Sequence, residues 1–310
     1  MAEILIKLKN HPYPYDYVMK NANKIIPSEM LNYLGIEAKF IQSLSTVFVD
    51  SHGKECRNDF TFLVVFDNED FNSVIDFEHQ STYVNMSRLD TMSWGAIDFA
   101  THYRYPVLLV IATDEESYKK SETEFNSCGS IRVIPYYIYF TWEEIQKRIN
   151  NLKEKIKNNE KLNTNEYLDL GFLPIFSPKD KRPYVTRICV DLYKTIEIKH
   201  LRINQAVYFS LGMMIARFFD DDEFEDFIGV KYMPTLEEDM KSIVTDVLEE
   251  DIFWLKRELS ESNEKIDKIK EDFSRVKREN EFYKGIFNHL NSQGILSDDI
   301  LEKVGSLEGK

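Results

Sequence analysis

Acidic and amide side chains alternate along a short apolar stretch, Val74 to Thr82, which reads VIDFEHQST. Asp76, Glu78 and Gln80 are two residues apart, and a strand with this spacing presents all three on one face of a sheet. Carboxylate oxygens are ligands that Mg²⁺ and Mn²⁺ prefer. A bound divalent cation polarises a phosphoryl oxygen and lowers the pKa of a bound water. The stretch therefore indicates metal-assisted hydrolysis.

A further acid lies at the start of the preceding apolar run. Residues 59–66 and 71–80 flank the polar segment DNED, which is a pattern typical of a β-hairpin. A turn centred in the middle of that segment would place Asp59 roughly opposite Glu78. Two carboxylates that face each other across neighbouring strands can share a cation. Gln80 would then point at the metal-bound water.

The third polar group is an amide where many nucleases have a lysine. Gln80 offers two donors and one acceptor but no charge, so it orients a water or a phosphate oxygen without the charge of an ammonium group. The alternative interpretation of this stretch is an edge strand that ends in solvent. In that interpretation His79 packs on the opposite face as an ordinary polar side chain.

The rest of the first two thirds of the chain predicts a mixed α/β sheet with helices packed on it. Capping residues, apolar periodicity and β-branched runs give the elements. We expect two helices, one that begins near Asp16 and one with Ser28 as its N-cap, followed by an extended segment over 36–50. A helix over 85–103 and strands over 107–113 and 131–140 come next. Thr141 caps a further helix, and a buried helix over 199–219 breaks near Gly212. The acidic stretch DDDEFEDF that follows reads as a solvated loop.

The segment 147–187 is the most basic part of the chain, with ten Lys or Arg residues against five acids. The simpler interpretation is a solvated helix face followed by a loop. The sharper one is a surface that contacts a nucleic-acid backbone. Its candidate contacts are Lys153, Lys155, Lys157, Lys179, Lys181 and Arg182.

Residues at alternating spacings of four and three from Leu248 to Leu290 are apolar, with Ser262 and Asn280 as the two polar members of the series. This heptad pattern, with Ile252 at an a position and Leu255 at a d position, predicts a coiled-coil helix. Asn280 falls at an a position, where a buried Asn fixes the register and favours two strands. We expect a homodimer through residues 248–290. The alternative is a long helix that packs on its own domain.

Composition bounds the remaining possibilities. The chain has 310 residues and a net charge of −14, which argues against nonspecific coating of nucleic acid but leaves room for a local basic groove. Three widely spaced cysteines favour a reducing cytoplasm and disfavour a structural zinc site. The N-terminal stretch lacks the pattern of a signal peptide, and no run of about 18 apolar residues predicts a membrane span.

Three segments, IDFEHQST, MSRLDTMSW and PVLLVIAT, together resemble the recombination-promoting nuclease and putative transposase family, a branch of the PD-(D/E)XK nuclease superfamily. Asp59 matches the first metal-binding acid of that family, Glu78 and Gln80 match its E-x-Q motif, and Arg88 matches an arginine that opens the following helix. Asp16 and Lys20 resemble an N-terminal aspartate and lysine more weakly, with Met19 in place of a phenylalanine. The resemblance covers roughly residues 14–145.

The resemblance implies a Mg²⁺- or Mn²⁺-dependent DNA endonuclease domain with an αβββαβ core. The acid that relatives contribute from the first helix stays open between Asp16, Glu29 and Glu37. Asp76 is either an extra ligand or a strand-end acid with its hydrogen bonds satisfied. Arg88 either contacts a phosphate or the site carboxylates, or it pairs with Asp90 or Asp98. Lys20, Lys181 and Arg182 are the other candidate DNA contacts.

The sequence thus predicts a nuclease-like domain over 1–235, a coiled-coil helix over 236–291 and a tail over 292–310. Its expected function is phosphodiester hydrolysis with Asp59 and Glu78 as metal ligands and Gln80 at the attacking water. The alternative is a catalytically weak or inactive nuclease fold that acts as a coiled-coil interaction or regulatory module. A narrower alternative is an accessory factor of a transposase.

Overall fold

The structure is a computed structural model. It describes residues 14–45, 47–49, 55–57, 60–127, 131–230, 262–263, 265–278, 281–286 and 289–290, and for Pro14, Asp16, 47–49, 55–57 and 228–230 the backbone alone. The chain divides into two compact units, Met1–Val244 and Thr245–Lys310. The predicted domain boundary at 235/236 and the predicted tail over 292–310 lie outside the described residues.

The described part of the first unit begins with two helices, continues with nine strands that are interrupted by two helices, and ends with five helices. The helices are α1 Pro14–Ile25, α2 Pro27–Tyr33, α3 Met86–Tyr103, α4 Glu115–Lys120, α5 Trp142–Lys157, α6 Thr164–Phe176, α7 Arg182–Thr195, α8 Leu201–Phe218 and α9 Asp221–Val230. The strands are β1 Ala38–Ser43, β2 Val47–Val49, β3 Glu55–Arg57, β4 Phe60–Phe66, β5 Ser73–Gln80, β6 Val107–Thr113, β7 Phe125–Asn126, β8 Arg132–Val133 and β9 Tyr136–Ile138.

Five strands form the main sheet in the order β1-β4-β5-β6-β9. The neighbours β1, β4 and β5 are antiparallel, whereas β5, β6 and β9 are parallel, so the sheet is mixed. The predicted hairpin is confirmed: Phe60 lies opposite Phe77 and Val64 opposite Ser73, so the pairing is symmetric about the bond between Asn68 and Glu69. The predicted α/β class with a mixed sheet and flanking helices is confirmed.

Helices cover both faces of the sheet at β5 and β6. On one face, Leu109 and Ile111 of β6 share an apolar cluster with Leu89 and Ala96 of α3. On the other face, Tyr15 of α1 approaches the ring of His79, which follows from the alternation of side chains along β5. The carboxyl half of β5 is therefore enclosed on both sides.

Helices α6 and α8 form the core beside the sheet, because both are apolar on nearly every side. All residues of α6 from Leu168 to Phe176 and of α8 from Ile203 to Ala216 are buried. The two helices approach closely where α6 has Gly171, whose carbonyl accepts a hydrogen bond from the Ser210 hydroxyl. Helix α8 continues through Gly212, so the predicted break there is wrong.

Helix starts follow capping chemistry where the caps are polar. The predicted Thr141 cap is confirmed: its hydroxyl accepts from the Glu144 N–H, and the Glu144 carboxylate accepts from the Thr141 N–H. The predicted Ser28 cap is wrong because α2 begins at Pro27 with Ile26 as its N-cap, two residues earlier. Proline suits that first position because its missing N–H would have no partner there.

Two predicted segments have different structures. The strand predicted over 131–140 is divided between β8 and β9, since Pro135 has no N–H to donate to a sheet ladder. The acidic stretch predicted as a loop is helix α9, whose Phe224 and Phe227 are buried. Asp221 and Glu223 lie in its first turn, where negative charge favours a helix.

The described part of the second unit is helical at 262–263, 265–278, 281–286 and 289–290, which confirms helix in these parts of the predicted coiled-coil segment. Seam residues there are exposed, including Ile269 and Phe273 at 67% and 71%. The predicted positions Leu248, Ile252, Leu255, Leu259, Asn280 and Phe287 lie outside the described residues. Within the described part of the chain, no helix is long and apolar enough to cross a membrane.

Candidate functional site

The candidate site follows from the position of β5 in the sheet. β5 lies between β4 and β6, so it is a central strand, and the alternative of an edge strand that ends in solvent is wrong. Its last residue, Gln80, still pairs with β6, opposite Thr113. The Thr113 hydroxyl donates a hydrogen bond of 2.7 Å to the Gln80 carbonyl and fixes the carboxyl end of the strand.

The three polar residues of the motif lie on one face of the sheet. In the parallel register, Asp76 is beside Leu109 and Glu78 is beside Ile111. Residues in register on neighbouring strands share a face, and these two apolar residues belong to the cluster under α3. Asp76, Glu78 and Gln80 therefore lie on the face that α3 covers, in agreement with the prediction from their spacing.

This polar row is largely enclosed. Asp76 is 1% exposed, Gln80 is 3% exposed and Glu78 is half-buried. Carboxylates are rarely buried unless they are paired, hydrogen-bonded or bound to a metal. Glu78, the middle residue of the row, is its most accessible member, whereas Gln80 at the end of the strand is buried.

Two buried hydroxyls accompany the row. Thr61 of β4 lies opposite Asp76, and its hydroxyl has no hydrogen-bond partner among the described residues. Ser93 lies on the same face of α3 as Leu89 and Ala96, and its buried hydroxyl also has no partner within the described part of the chain. Hydroxyl and carboxylate oxygens on one sheet face are the hard donors that suit Mg²⁺, directly or through water, so the residues present fit this ion.

The side chains of two predicted acids lie outside the described part of the structure. Asp59 is outside the described residues, and of Asp16 only the backbone, within α1, is described. The last described pair of the hairpin is Phe60 opposite Phe77, and this is the register that the predicted pairing of Asp59 with Glu78 requires. Among the described residues, no group of three or more His, Cys, Asp or Glu side chains is placed to hold a metal ion.

Arg88 lies in the first turn of α3, just beyond the end of β5. The Asn85 side chain caps this helix by accepting a 3.0 Å hydrogen bond from the Arg88 N–H, because the first N–H groups of a helix have no partner within it. The Arg88 side chain is exposed. Arg88 is therefore accessible to solvent at the start of the helix that covers this face of the sheet.

The remaining predicted DNA contacts differ in accessibility. Lys181 is exposed and pairs with Asp180 at 2.9 Å, and Lys20 is half-buried in α1. Arg182 is buried at 3% exposed, and its guanidinium donates to Asp114 and to the Ser177 carbonyl. Arg182 therefore cannot make the predicted phosphate contact in this conformation.

Arg182 instead belongs to a buried cluster that sequence reasoning missed. Its guanidinium lies 4.5 Å from the centre of the Tyr15 ring, which in turn is 6.4 Å from the His79 ring. Asp114 directly follows β6 and caps α4 by accepting from the Ser117 N–H at 2.8 Å. The cluster joins α1, β5, β6 and α7 at the carboxyl edge of the sheet, and no local pattern marks partners that are 68 residues apart.

The buried contacts of Arg182 also position basic residues near the carboxyl edge of the sheet. The pKa of Glu116 in α4 is lowered, chiefly by a hydrogen bond and charge from Lys120 and to a lesser extent by the charge of Lys179. Lys179 and Lys181 precede α7 and are exposed. The loop that carries them therefore lies beside α4, close to the end of β6.

Comparisons with protein-family models, with curated proteins and with solved structures gave no significant match for this chain. The functional assignment therefore depends on the motif and on the geometry around it.

Proposed function

We propose that the chain is a Mg²⁺- or Mn²⁺-dependent DNA endonuclease of the recombination-promoting nuclease type in the PD-(D/E)XK superfamily. The observation that carries this proposal is the row of Asp76, Glu78 and Gln80 on one face of a central strand. A central strand of an ordinary core carries apolar residues at such positions. The order of helix, three antiparallel strands, helix and parallel strand in the main sheet supports the same fold family.

In this proposal Asp59 and Glu78 hold the cation, and Asp76 is a candidate extra ligand. The bound cation supplies Lewis-acid activation of a water and of the scissile phosphate. Gln80 orients the water through its amide, and Arg88 contacts a phosphate oxygen at the mouth of the site. Lys179 and Lys181 extend the positive charge along the carboxyl edge of the sheet, where a phosphate backbone would pass.

The proposal includes a homodimer formed by the C-terminal helix. The exposed apolar seam of the described helical segments supports it, because such a stripe is covered in a coiled coil. Two catalytic domains in one assembly suit the cleavage of both strands of a duplex.

The decisive experiment is nicking of supercoiled plasmid DNA with Mg²⁺, Mn²⁺ or EDTA. We expect metal-dependent nicking by the wild type and none by Glu78→Ala or Asp59→Ala. Asp70→Ala, an exposed acid in the turn at the far end of the same hairpin, is the matched control and keeps wild-type nicking. Unchanged nicking by the purified double variant Asp59→Ala/Glu78→Ala would contradict the proposal.

The second candidate is a non-catalytic nuclease fold that acts through its coiled coil. The deep burial of Gln80, together with its lack of charge, favours this function because a water-positioning group must reach the substrate. Calorimetric titration with Mn²⁺ separates the two candidates. Binding that is lost in Glu78→Ala supports the nuclease, whereas no binding to the wild type supports the interaction module.

A further inference from the structure

The C-terminal helix exposes an apolar seam, defined here by its described residues. The exposed fractions range from 47% to 71% for Ile266, Ile269, Phe273, Val276 and Tyr283. These residues follow one another at spacings of three, four, three and seven, so all five occupy a or d positions of a heptad repeat, with the a position 280 between the last two. A stripe of this kind buries itself against a helix with the same repeat.

The residues at the e and g positions, which flank the seam, follow a pattern of charge. With Ile266 at a, the e positions are Lys270, Lys277 and Lys284, all cationic. The g positions are Lys265 and Asp272, followed by Glu279, which is assigned from the sequence because it lies outside the described residues. Residues at e and g border the seam on opposite sides and meet the partner helix, so their charges set its orientation.

A parallel pair of identical helices brings opposite charges together. In this arrangement a g residue faces the e residue five positions further along the second copy. Asp272 then faces Lys277 of the second copy, and the reverse contact forms on the other side of the seam. Glu279 faces Lys284 in the same way. The pairing of Lys265 with Lys270 is the single like-charged contact over residues 265–284.

An antiparallel pair of the same helices has the opposite electrostatics. Residues at e would face e residues of the second copy, so Lys270, Lys277 and Lys284 would meet other lysines in every register that overlaps them. Like charges that face each other destabilise an interface and exclude the wrong partner orientation. The sequence at e therefore disfavours the antiparallel arrangement.

A polar seam position favours one register within the parallel arrangement. Asn280 occupies an a position, and in a parallel, unstaggered pair it meets the Asn280 of the second copy. A stagger of one heptad would place its amide against Phe273 or Phe287, which leaves a polar group without a partner. The residue lies outside the described structure and contributes here through its heptad position alone.

We infer that the C-terminal helix pairs with the same helix of a second copy in a parallel, unstaggered coiled coil, held in orientation by contacts between Asp272 and Lys277. The inference rests on the proposed homodimer but not on nuclease activity. A parallel coiled coil brings the N-terminal ends of the two helices together.

Charge exchange in the full-length protein tests the contact directly. In low-salt sedimentation equilibrium, we expect Asp272→Lys to weaken the dimer about tenfold, and Lys277→Glu to weaken it similarly. The double variant, Asp272→Lys/Lys277→Glu, recovers the wild-type dissociation constant because the two charges exchange places.

The chain supplies a matched control for this exchange. Asp272 pairs within its own helix with Arg275 at 2.9 Å, and Asp267 pairs likewise with Lys270 at 3.1 Å. Asp267 is at a b position, away from the seam, so Asp267→Lys loses an equivalent intrahelical pair without changing the dimer. Equal weakening in Asp267→Lys and Asp272→Lys would overturn the inference, as would failure of the double variant to recover.

Disulfide trapping tests the orientation independently. In a parallel, unstaggered pair, Ile269→Cys and Tyr283→Cys each lie opposite their own counterpart, and both variants form a covalent dimer under mild oxidation. These positions are separated by about 21 Å along a helix, so an antiparallel pair can trap at most one of them. Trapping at one position or at neither, with the wild type as blank, overturns the parallel arrangement. A monomeric mass for the wild type at all concentrations overturns the pairing itself.

Discussion

Arg182 and Asp114 form a buried ion pair that joins α7 to the end of β6, with 3.1 Å between Nη2 and Oδ2. Their side chains are 4% and 1% exposed, and Arg182 also donates to the Ser177 carbonyl. Charged groups are tolerated at such depth only when they are paired and hydrogen-bonded. The pair holds the carboxyl edge of the sheet, where the polar row of β5 ends.

Arg182→Met is expected to destabilise the fold by about 3–5 kcal/mol, because it leaves the Asp114 carboxylate buried without its cation. Lys181→Met is the matched control, since the neighbouring lysine is exposed, and we expect a change within about 0.5 kcal/mol. Urea unfolding of both variants gives the comparison. If the Arg182 variant also unfolds within about 0.5 kcal/mol of the wild type, the ion pair does not hold this edge.

Asp114→Asn in the Arg182→Met background completes a double-mutant cycle. We expect the double variant to lose less free energy than the two single variants together, because the uncompensated charge has been removed. Additive losses would indicate that the two residues contribute separately.

Gly171→Ala is expected to destabilise the first unit by about 1–3 kcal/mol, because an added methyl group overpacks the contact between α6 and α8. A Cβ at this position would lie 3.1 Å from the Val207 Cα, a backbone atom that cannot rotate away. Gly285→Ala is the opposite case, since a Cβ added there would have nothing within 4 Å and alanine favours a helix by about 1 kcal/mol. Thermal unfolding followed by circular dichroism should give opposite signs for the two variants, and the same sign would contradict this account.

The hairpin is predictable from sequence because its signals are local. The polar segment between two apolar runs sets the turn, and the alternation along β5 places Asp76, Glu78 and Gln80 on one face. The central position of β5 is not predictable in the same way, because it depends on pairing with β6, whose partner residues are more than 30 positions away.

The missed elements depend on tertiary packing. DDDEFEDF has the composition of a loop, yet Phe227 stacks on Tyr208 of α8 with 5.0 Å between ring centres, and this contact stabilises helix α9. Helix α6 contains Gly171 and Pro174, which normally argue against a helix, but its burial on almost every side outweighs their low propensity. A basic segment is usually exposed to solvent, so the sequence predicts a surface position for Arg182. Its partner Asp114 is distant in sequence and is brought next to Arg182 only by the fold.

Glu166 gives a prediction for acid stability. Burial alone would raise the pKa of its carboxyl, but hydrogen bonds from Lys155, Asn163 and Asn151 outweigh this effect and lower the pKa below its ordinary value of 4.5. A lowered pKa contributes stability that is fully present above about pH 4.5 and is lost as the pH falls through the folded-state value. Glu166→Gln should therefore be less stable than the wild type at neutral pH.

The difference between the wild type and Glu166→Gln should shrink as the pH falls below about 4.5. Urea unfolding at a series of pH values measures it, with Glu154→Gln on the exposed side of α5 as the matched control. The control should differ little from the wild type throughout. A difference for Glu166→Gln that grows on acidification would contradict the predicted sign.

Gln80→Lys tests the chemistry of the proposed site. The substitution places an ammonium group on the same sheet face as Asp76 and Glu78, whose carboxylates can compensate its charge. A cation beside the attacking water stabilises charge that develops at the phosphate, so we expect plasmid nicking to rise about tenfold or more. Asp70→Lys is the matched control, since it adds the same group at the exposed turn of the same hairpin, away from the polar row, and should give no gain. Nicking by a folded Gln80→Lys protein that is no faster than the wild type, or that persists in EDTA, would contradict this role of residue 80.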